Sequence, residues 1–206
     1  METRKLYIFE KFLLVALLGG AIWGFWYFEE SLILKILILG LGIFGLILAF
    51  SSKDNKLQFS SRRELLMLLI LYLGLFTLYN LLYGQNIPLY LIMIAILALV
   101  AILLYSLLSL DQMDKIMGRS IFQVFIFLMG LAILEVFLSL YFWPIEPELK
   151  SLIVVVIFYL IISLIYLYVH SMLRFKRIAG YLIVCFIILA LILLVTWFRL
   201  PRGGII

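Results

Sequence analysis

The sequence is poor in the residues that build disulfides and metal sites. Its 206 residues include one cysteine, Cys185, and one histidine, His170. A single cysteine cannot form an internal disulfide framework. A single histidine cannot supply a histidine metal site or the several ligands of an intramembrane metalloprotease. We therefore predict neither a metal nor another cofactor for this chain.

Charge is also scarce, and this scarcity decides the class of protein. Only 13% of the residues are charged, whereas 67% are hydrophobic and the mean hydropathy is +1.30. A soluble domain is about half apolar and about a quarter charged, because it needs a polar exterior. The net charge of +5 is better explained by loops near anionic lipid than by nucleic acid. We predict an integral membrane protein with no nucleic-acid partner.

The apolar residues form long runs, and a spanning helix needs about 20 such residues. The breaks between runs are polar or contain proline and glycine, and all are too short to hold a soluble domain. We predict an all-α helix bundle, a single transmembrane domain over 1–206. Its seven predicted spans are 6–28, 32–50, 65–83, 89–108, 121–143, 149–169 and 179–198.

Basic residues predict the orientation of the bundle. About twelve lysines and arginines fall on one side of the seven spans and four on the other. Because the basic side is normally cytoplasmic, the N-terminus is predicted inside and the C-terminus outside. The tryptophans fall at predicted outer ends, where their amphipathic rings favour the headgroup region; they are Trp23, Trp26, Trp143 and Trp197.

Glu135 is the strongest single candidate for a functional residue. It lies 8 residues before the predicted outer end of the fifth span, about 12 Å below the boundary at about 1.5 Å per residue. A bare carboxylate there costs several kcal/mol, so the group should be neutral, paired or facing water. Two readings remain open: a proton- or substrate-binding carboxyl, or a neutral carboxyl that hydrogen-bonds between helices.

Other polar residues are predicted near the depth of Glu135. Thr77 and Asn80 of the third span and Tyr159 of the sixth lie within about one helical turn of it. Lys35 starts higher on the second span, and its long side chain either reaches Glu135 or extends to the outer headgroups. We favour the headgroups for Lys35.

The sixth predicted span carries a polar stripe. Tyr159, Ser163, Tyr166 and His170 follow each other at spacings of 4, 3 and 4, which places them on one helix face. The stripe is interpreted either as the lining of a proton or solute path, or as a seam between helices bonded by hydroxyl groups. We favour the seam.

Small residues and a recurring segment raise two further hypotheses. Gly20 and Gly24 form a GxxxG pair, which favours close packing of the first two spans. The aromatic and acidic end of the first span resembles that of the fifth, and Leu-Lys follows each, at Lys35 and Lys150. Spans one to three and five to seven would then be parallel repeats, unless any outer interface collects such residues.

One segment carries a resemblance to other proteins. Phe142, Trp143, Pro144 and Pro147, followed by a tyrosine-rich helix, look like the pattern of uncharacterised small polytopic membrane proteins of candidate-phyla bacteria. The resemblance covers mainly the fifth to seventh spans. It implies a multi-pass protein of a prokaryotic plasma (inner) membrane and implies nothing about mechanism.

No motif of a known membrane enzyme is present in the sequence. Rhomboid-type proteases pair the serine of a Gly-x-Ser with a histidine within the membrane, whereas Gly118-Arg119-Ser120 falls in a break between the predicted spans. Prenyltransferases need two Asp-rich pairs, and Asp111 and Asp114 have no second pair. We expect no enzymatic activity. We predict a scaffold, assembly factor or subunit that contacts the lipid bilayer and a membrane-protein partner or its own copies. The alternative is a small-solute or proton-coupled transporter that uses Glu135.

Overall fold

The computed structural model describes residues 2–51, 56–84, 87–110, 118–169 and 175–199. Over these ranges the prediction of an all-α chain is confirmed. The helices are α1 (Glu2–Phe28), α2 (Leu32–Ser51), α3 (Lys56–Gly84), α4 (Leu89–Leu110), α5 (Arg119–Tyr141), α6 (Pro147–Val169) and α7 (Phe175–Arg199).

One helix differs clearly from its predicted length. The apolar run predicts a third span over 65–83, but α3 already begins at Lys56. The residues that precede the apolar run are mostly Lys, Leu, Gln, Arg and Glu, which are good helix formers. Their polarity marks the edge of the apolar segment, and it does not end the helix.

Prolines and a glycine set the limits of α5 and α6. α5 ends at Tyr141, two residues before the predicted end, because Pro144 disfavours helix in the residue before it. α6 begins with Pro147, whose fixed φ and missing N–H suit the first helical position. At the other end of α5, Gly118 has a φ of 79° and its carbonyl accepts from the N–H of Phe122 at 3.0 Å.

Within the part of the chain that the structure describes, four helices are long and apolar enough to cross a membrane. Their apolar segments are Glu64–Gly84, Leu89–Leu108, Ser120–Tyr141 and Pro147–Leu167. The other three helices contribute shorter apolar segments over their described side chains, at Phe12–Phe28, Leu32–Phe44 and Ile178–Ile192. By length and composition, the chain is therefore built for association with a membrane.

The chain divides into two compact units, the first of which is Met1–Leu134. In this unit α1 packs against α2 and most extensively against α3, which also contacts α4. Their shared core contains the rings of Phe25 and Phe76, whose centroids are 4.8 Å apart. The buried residues of this core are Ala21, Phe25, Ile38, Leu73 and Phe76.

Two glycines permit close helix packing in the first unit. A methyl group at Gly24 of α1 would overlap the side chain of Thr77 on α3. A methyl group at Gly42 of α2 would lie 2.5 Å from the Cδ1 of Ile22 on α1. Gly20 has no such neighbour within 4 Å. The GxxxG interpretation of α1 and α2 is therefore wrong in detail, because Gly24 serves the contact with α3.

The second unit is Glu135–Ile206. Within it α6 packs along α7, and the rings of Tyr159 and Tyr181 lie 6.3 Å apart across that contact. Val154 and Phe158 of α6 and Cys185 of α7 are buried. The single transmembrane domain remains a prediction.

Candidate functional site

Glu135 lies on an exposed face of α5. Five exposed residues follow each other at spacings of 3, 4, 3 and 4, and at about 100° per residue they fall within about 40° of Glu135. We call this set the α5 stripe: Ile121, Val124, Leu128, Leu131 and Glu135. The opposite side of the helix carries buried apolar residues: Phe122, Ile126, Ile133 and Phe137.

The carboxyl of Glu135 is the one acidic group of the stripe. Among the side chains that the structure describes, none makes a hydrogen bond or ion pair with this carboxyl. Ser139, one turn further on, donates its hydroxyl to the backbone carbonyl of Glu135 at 2.8 Å. Glu135 lies six residues before the end of α5 at Tyr141, which is about 9 Å along the helix axis.

The polar residues predicted on the third span bind their own helix. Thr77 Oγ1 donates to the carbonyl of Leu73 at 2.8 Å, and Asn80 Nδ2 donates to the carbonyl of Phe76 at 2.9 Å. Both are bonds to the residue four positions earlier, a common solution for polar side chains within a helix. In this structure Thr77 also packs on α1 at Gly24.

Lys35 reaches back toward the end of α1. Its ammonium nitrogen lies 5.4 Å from the ring centroid of Trp26, within the range of a cation–π contact. The side chain is half-buried. The extension of Lys35 toward the outer headgroups remains a prediction. A pair between Lys35 and Glu135 would join the two units, and it remains a prediction.

The stripe predicted on the sixth span has unequal exposure along α6. Ser163 is buried, Tyr159 is half-buried against Tyr181, and Tyr166 is exposed. His170 lies outside the described residues. Tyr159 and Ser163 therefore face toward packed protein, and the choice between a seam and a polar path remains a prediction.

Lys150 is a polar residue whose environment the sequence analysis missed. It belongs to the first turn of α6 and is only 2% exposed. Its ammonium group donates to the carbonyl of Tyr141 at 3.1 Å, and the next residue, Ser151, is fully buried and donates to the carbonyl of Pro147 at 2.7 Å. The Pro147-Glu148 pair, typical of a helix start, is the signal that α6 begins two residues before the predicted start at 149.

The starts of α2 and α6 share two local features. Ser31 precedes α2 and accepts from the N–H of Lys35, and Glu146 precedes α6 and accepts from the N–H of Lys150, each at 3.1 Å. Each lysine then reaches a residue nine positions earlier in the preceding helix, Trp26 in one unit and Tyr141 in the other. The two segments therefore share the position of the lysine and the spacing to its contact, although Lys35 lies over a ring and Lys150 donates to a backbone carbonyl.

A metal site finds no support in the described part of the chain. No group of three or more His, Cys, Asp or Glu side chains converges there in a way that could hold an ion. Two of the buried polar side chains, Lys150 and Ser151, donate to backbone carbonyls. What these groups do chemically is to hold helix ends and turns together.

A family model described as "Protein of unknown function (DUF5656)" matches residues 12–195. No curated protein and no solved structure matches the chain. The match covers most of the chain, so its architecture is that of an uncharacterised family.

Proposed function

Because the chain belongs to the DUF5656 family, whose function is unknown, we propose its role from its own geometry. It is a multi-pass integral membrane protein that acts without catalysis, as a scaffold, assembly factor or subunit. It does so by holding a partner helix against the α5 stripe. It uses no cofactor, and its partners are lipid and membrane protein.

The proposed topology has seven spans, an inner N-terminus and an outer C-terminus. Exposed aromatic residues at the end of α1 and after α5 support it, since such rings favour the headgroup region. Trp23 is 76% exposed, Tyr27 67% and Phe142 79%. The excess of basic residues in the opposite loops supports the same direction. We place the protein in the plasma membrane of a bacterium, on the resemblance of its last three spans.

The position of Glu135 carries the proposed role. A carboxyl on a lipid-facing surface loses its hydrogen bonds with water and gains none from hydrocarbon, which costs several kcal/mol. A partner that supplies a hydrogen bond removes this cost. The polar groups at the outer end of the second unit are bonded locally, as Lys150 is to Tyr141. Glu135 differs from them because it is exposed and its carboxyl has no hydrogen-bond partner among the described side chains.

The matched outer ends of the two units support a further part of the proposal. We take α1–α3 and α5–α7 as parallel repeats joined by α4. Parallel repeats occur in several membrane protein families. In each proposed repeat a lysine lies in the first turn of the second helix and contacts a residue near the end of the first helix. Lys35 contacts Trp26, and Lys150 contacts Tyr141.

Photo-crosslinking in native membranes tests the role. A benzophenone amino acid at Leu131, within the α5 stripe, should form a protein adduct. The same probe at Ile94 of α4, which is 60% exposed, should form none. Replacing Glu135 with Leu should weaken the adduct at Leu131. If Leu131 and Ile94 behave alike, the proposed role is wrong.

The transporter alternative has a distinct signature. The Glu135→Gln variant would keep its stability in detergent and lose a proton-linked flux in liposomes. On the scaffold proposal there is no such flux in the wild-type chain. Flux measurements on purified wild-type protein and the Glu135→Gln variant therefore separate the two roles.

A further inference from the structure

We propose that the contact between α6 and α7 binds a water molecule, held by the hydroxyl groups of Ser163 on α6 and Tyr181 on α7. Both residues belong to the second unit, and the site is described within that unit alone. The inference goes beyond the proposed function, because it depends neither on the α5 stripe nor on a partner protein.

The hydroxyl group of Ser163 is buried without a hydrogen-bond partner in the described part of the chain. Ser163 is only 8% exposed, and no described side chain or backbone group bonds to its hydroxyl. Ser151 on the same helix, by contrast, is fully buried and donates to the carbonyl of Pro147 at 2.7 Å. A buried hydroxyl that lacks any bond is costly, and ordered water commonly satisfies such a group in folded proteins.

Ser163 lies on the side of α6 that α7 covers. It follows Tyr159 by four residues, so the two side chains point within about 40° of each other around the helix. The ring of Tyr159 lies 6.3 Å from the ring of Tyr181 on α7. The hydroxyl of Ser163 therefore lies in the contact between the two helices, about 6 Å further along α6 than Tyr159.

The direction of α7 brings the hydroxyl of Tyr181 toward the level of Ser163. α6 ends at Val169 and α7 begins at Phe175, and a connection of this length spans at most about 20 Å. Because α6 is about 34 Å long and packs along α7, the two helices are antiparallel. Side chains on a helix lean toward its N-terminus. Tyr181 therefore leans toward the end of α6, where Ser163 lies, whereas Tyr159 leans the other way.

Three polar groups are then available to one water molecule, which makes about three hydrogen bonds in a typical protein interior. The hydroxyls of Ser163 and Tyr181 can each donate and accept, and neither bonds to another described residue. The carbonyl of Tyr159, four residues before Ser163, is a backbone acceptor within reach of this position and has a second lone pair. Ser163 lies in the apolar segment Pro147–Leu167, where hydrocarbon offers no competing hydrogen bond.

A double-mutant cycle of unfolding temperatures in detergent tests whether the two hydroxyls share a ligand. Ser163→Ala and Tyr181→Phe should each lower the unfolding temperature by about 2–4 °C, the shift for one net hydrogen bond in a chain of this length. The double variant should unfold no lower than this range, because either change alone releases the water. A Ser163→Ala variant that is as stable as the wild type, or more stable, overturns the inference, and so do additive effects.

Two matched controls show that the coupling is specific to this pair of hydroxyls. Ser151→Ala removes a buried hydroxyl that already bonds to a carbonyl, so its effect should add to that of Tyr181→Phe. Tyr159→Phe removes the hydroxyl that leans away from Ser163, and its effect should add to that of Ser163→Ala. Coupling of the same size in either control would also overturn the inference.

Water-to-protein magnetisation transfer in solid-state NMR detects the water itself. In liposomes of the wild-type protein labelled with ¹³C-serine, the Cβ of Ser163 should receive magnetisation from water, and the Ser163→Ala variant identifies this signal. The transfer should fall strongly in Tyr181→Phe and stay unchanged in Tyr159→Phe. Thermal coupling without water transfer would mean a direct bond between the two hydroxyls, and the proposed water would be wrong.

Discussion

The ammonium group of Lys150 donates a hydrogen bond to the carbonyl of Tyr141, the last residue of α5, at 3.1 Å. The final carbonyls of a helix have no partner within the helix, and its C-terminus carries a partial negative charge. A buried cation at this point meets both needs. The bond joins α6 to the end of α5 across a five-residue turn.

Replacing Lys150 with Met should destabilise the protein by about 1.5–3 kcal/mol, the range for a hydrogen bond to a charged group. Met keeps most of the volume, so packing changes little. Thermal unfolding in detergent measures the loss. The matched control is Lys35→Met, which removes only a cation–π contact at a half-buried site and should cost less. Equal losses in the two variants would contradict this account.

Replacing Gly24 with Ala should cost about 1–3 kcal/mol, because the added methyl group overlaps Thr77. Gly20→Ala is the control one turn away, and it should be close to neutral because nothing lies within 4 Å of the added group. In the Thr77→Ala background the Gly24→Ala variant should lose most of its penalty. A double-mutant cycle of unfolding temperatures checks this coupling, and additive effects would show that the two residues do not meet.

The rings of Tyr159 and Tyr181 should stabilise the second unit independently of the hydroxyl of Tyr159. Tyr159→Phe keeps the ring contact at 6.3 Å and should unfold at nearly the wild-type temperature. Tyr159→Ala should lose at least about 1 kcal/mol, since an aromatic pair adds about 0.5–1.5 kcal/mol beyond area burial. If Tyr159→Phe is as unstable as Tyr159→Ala, the hydroxyl matters and the polar-path interpretation of α6 regains support.

Labelling of single cysteines should report the proposed orientation. In the Cys185→Ser background, Glu30→Cys and Pro144→Cys should react with an impermeant maleimide in intact cells. Ser120→Cys should react only after the membrane is opened. All three positions are exposed or lie in turns, so reactivity measures sidedness. The reverse pattern would place the N-terminus outside.

The sequence predicts the limits of most helices, because the residues change from apolar to polar where the surroundings change from lipid to water. α2 and α4 begin at the predicted residues, Leu32 and Leu89. The start of α3 was misjudged because a helix continues beyond the apolar segment when the polar residues that follow are helix formers.

The exposed side of α5 could not be predicted from the sequence. An amphipathic helix shows its buried face by its apolar pattern, but α5 is apolar on nearly every side. Only Glu135 interrupts this uniformity, and a single residue does not tell whether it faces protein or lipid. Its outward position, like the backbone bonds of Thr77 and Asn80, required coordinates.

The length of α3 has a practical consequence for imaging so small a membrane protein. Its 29 residues extend about 43 Å, roughly 13 Å more than the hydrocarbon thickness. A helical marker protein can be fused so that one of its helices continues directly into the start of α3. The two helices would then form one continuous rod. Such a rod would transmit the orientation of the bundle to a particle large enough to align in electron micrographs.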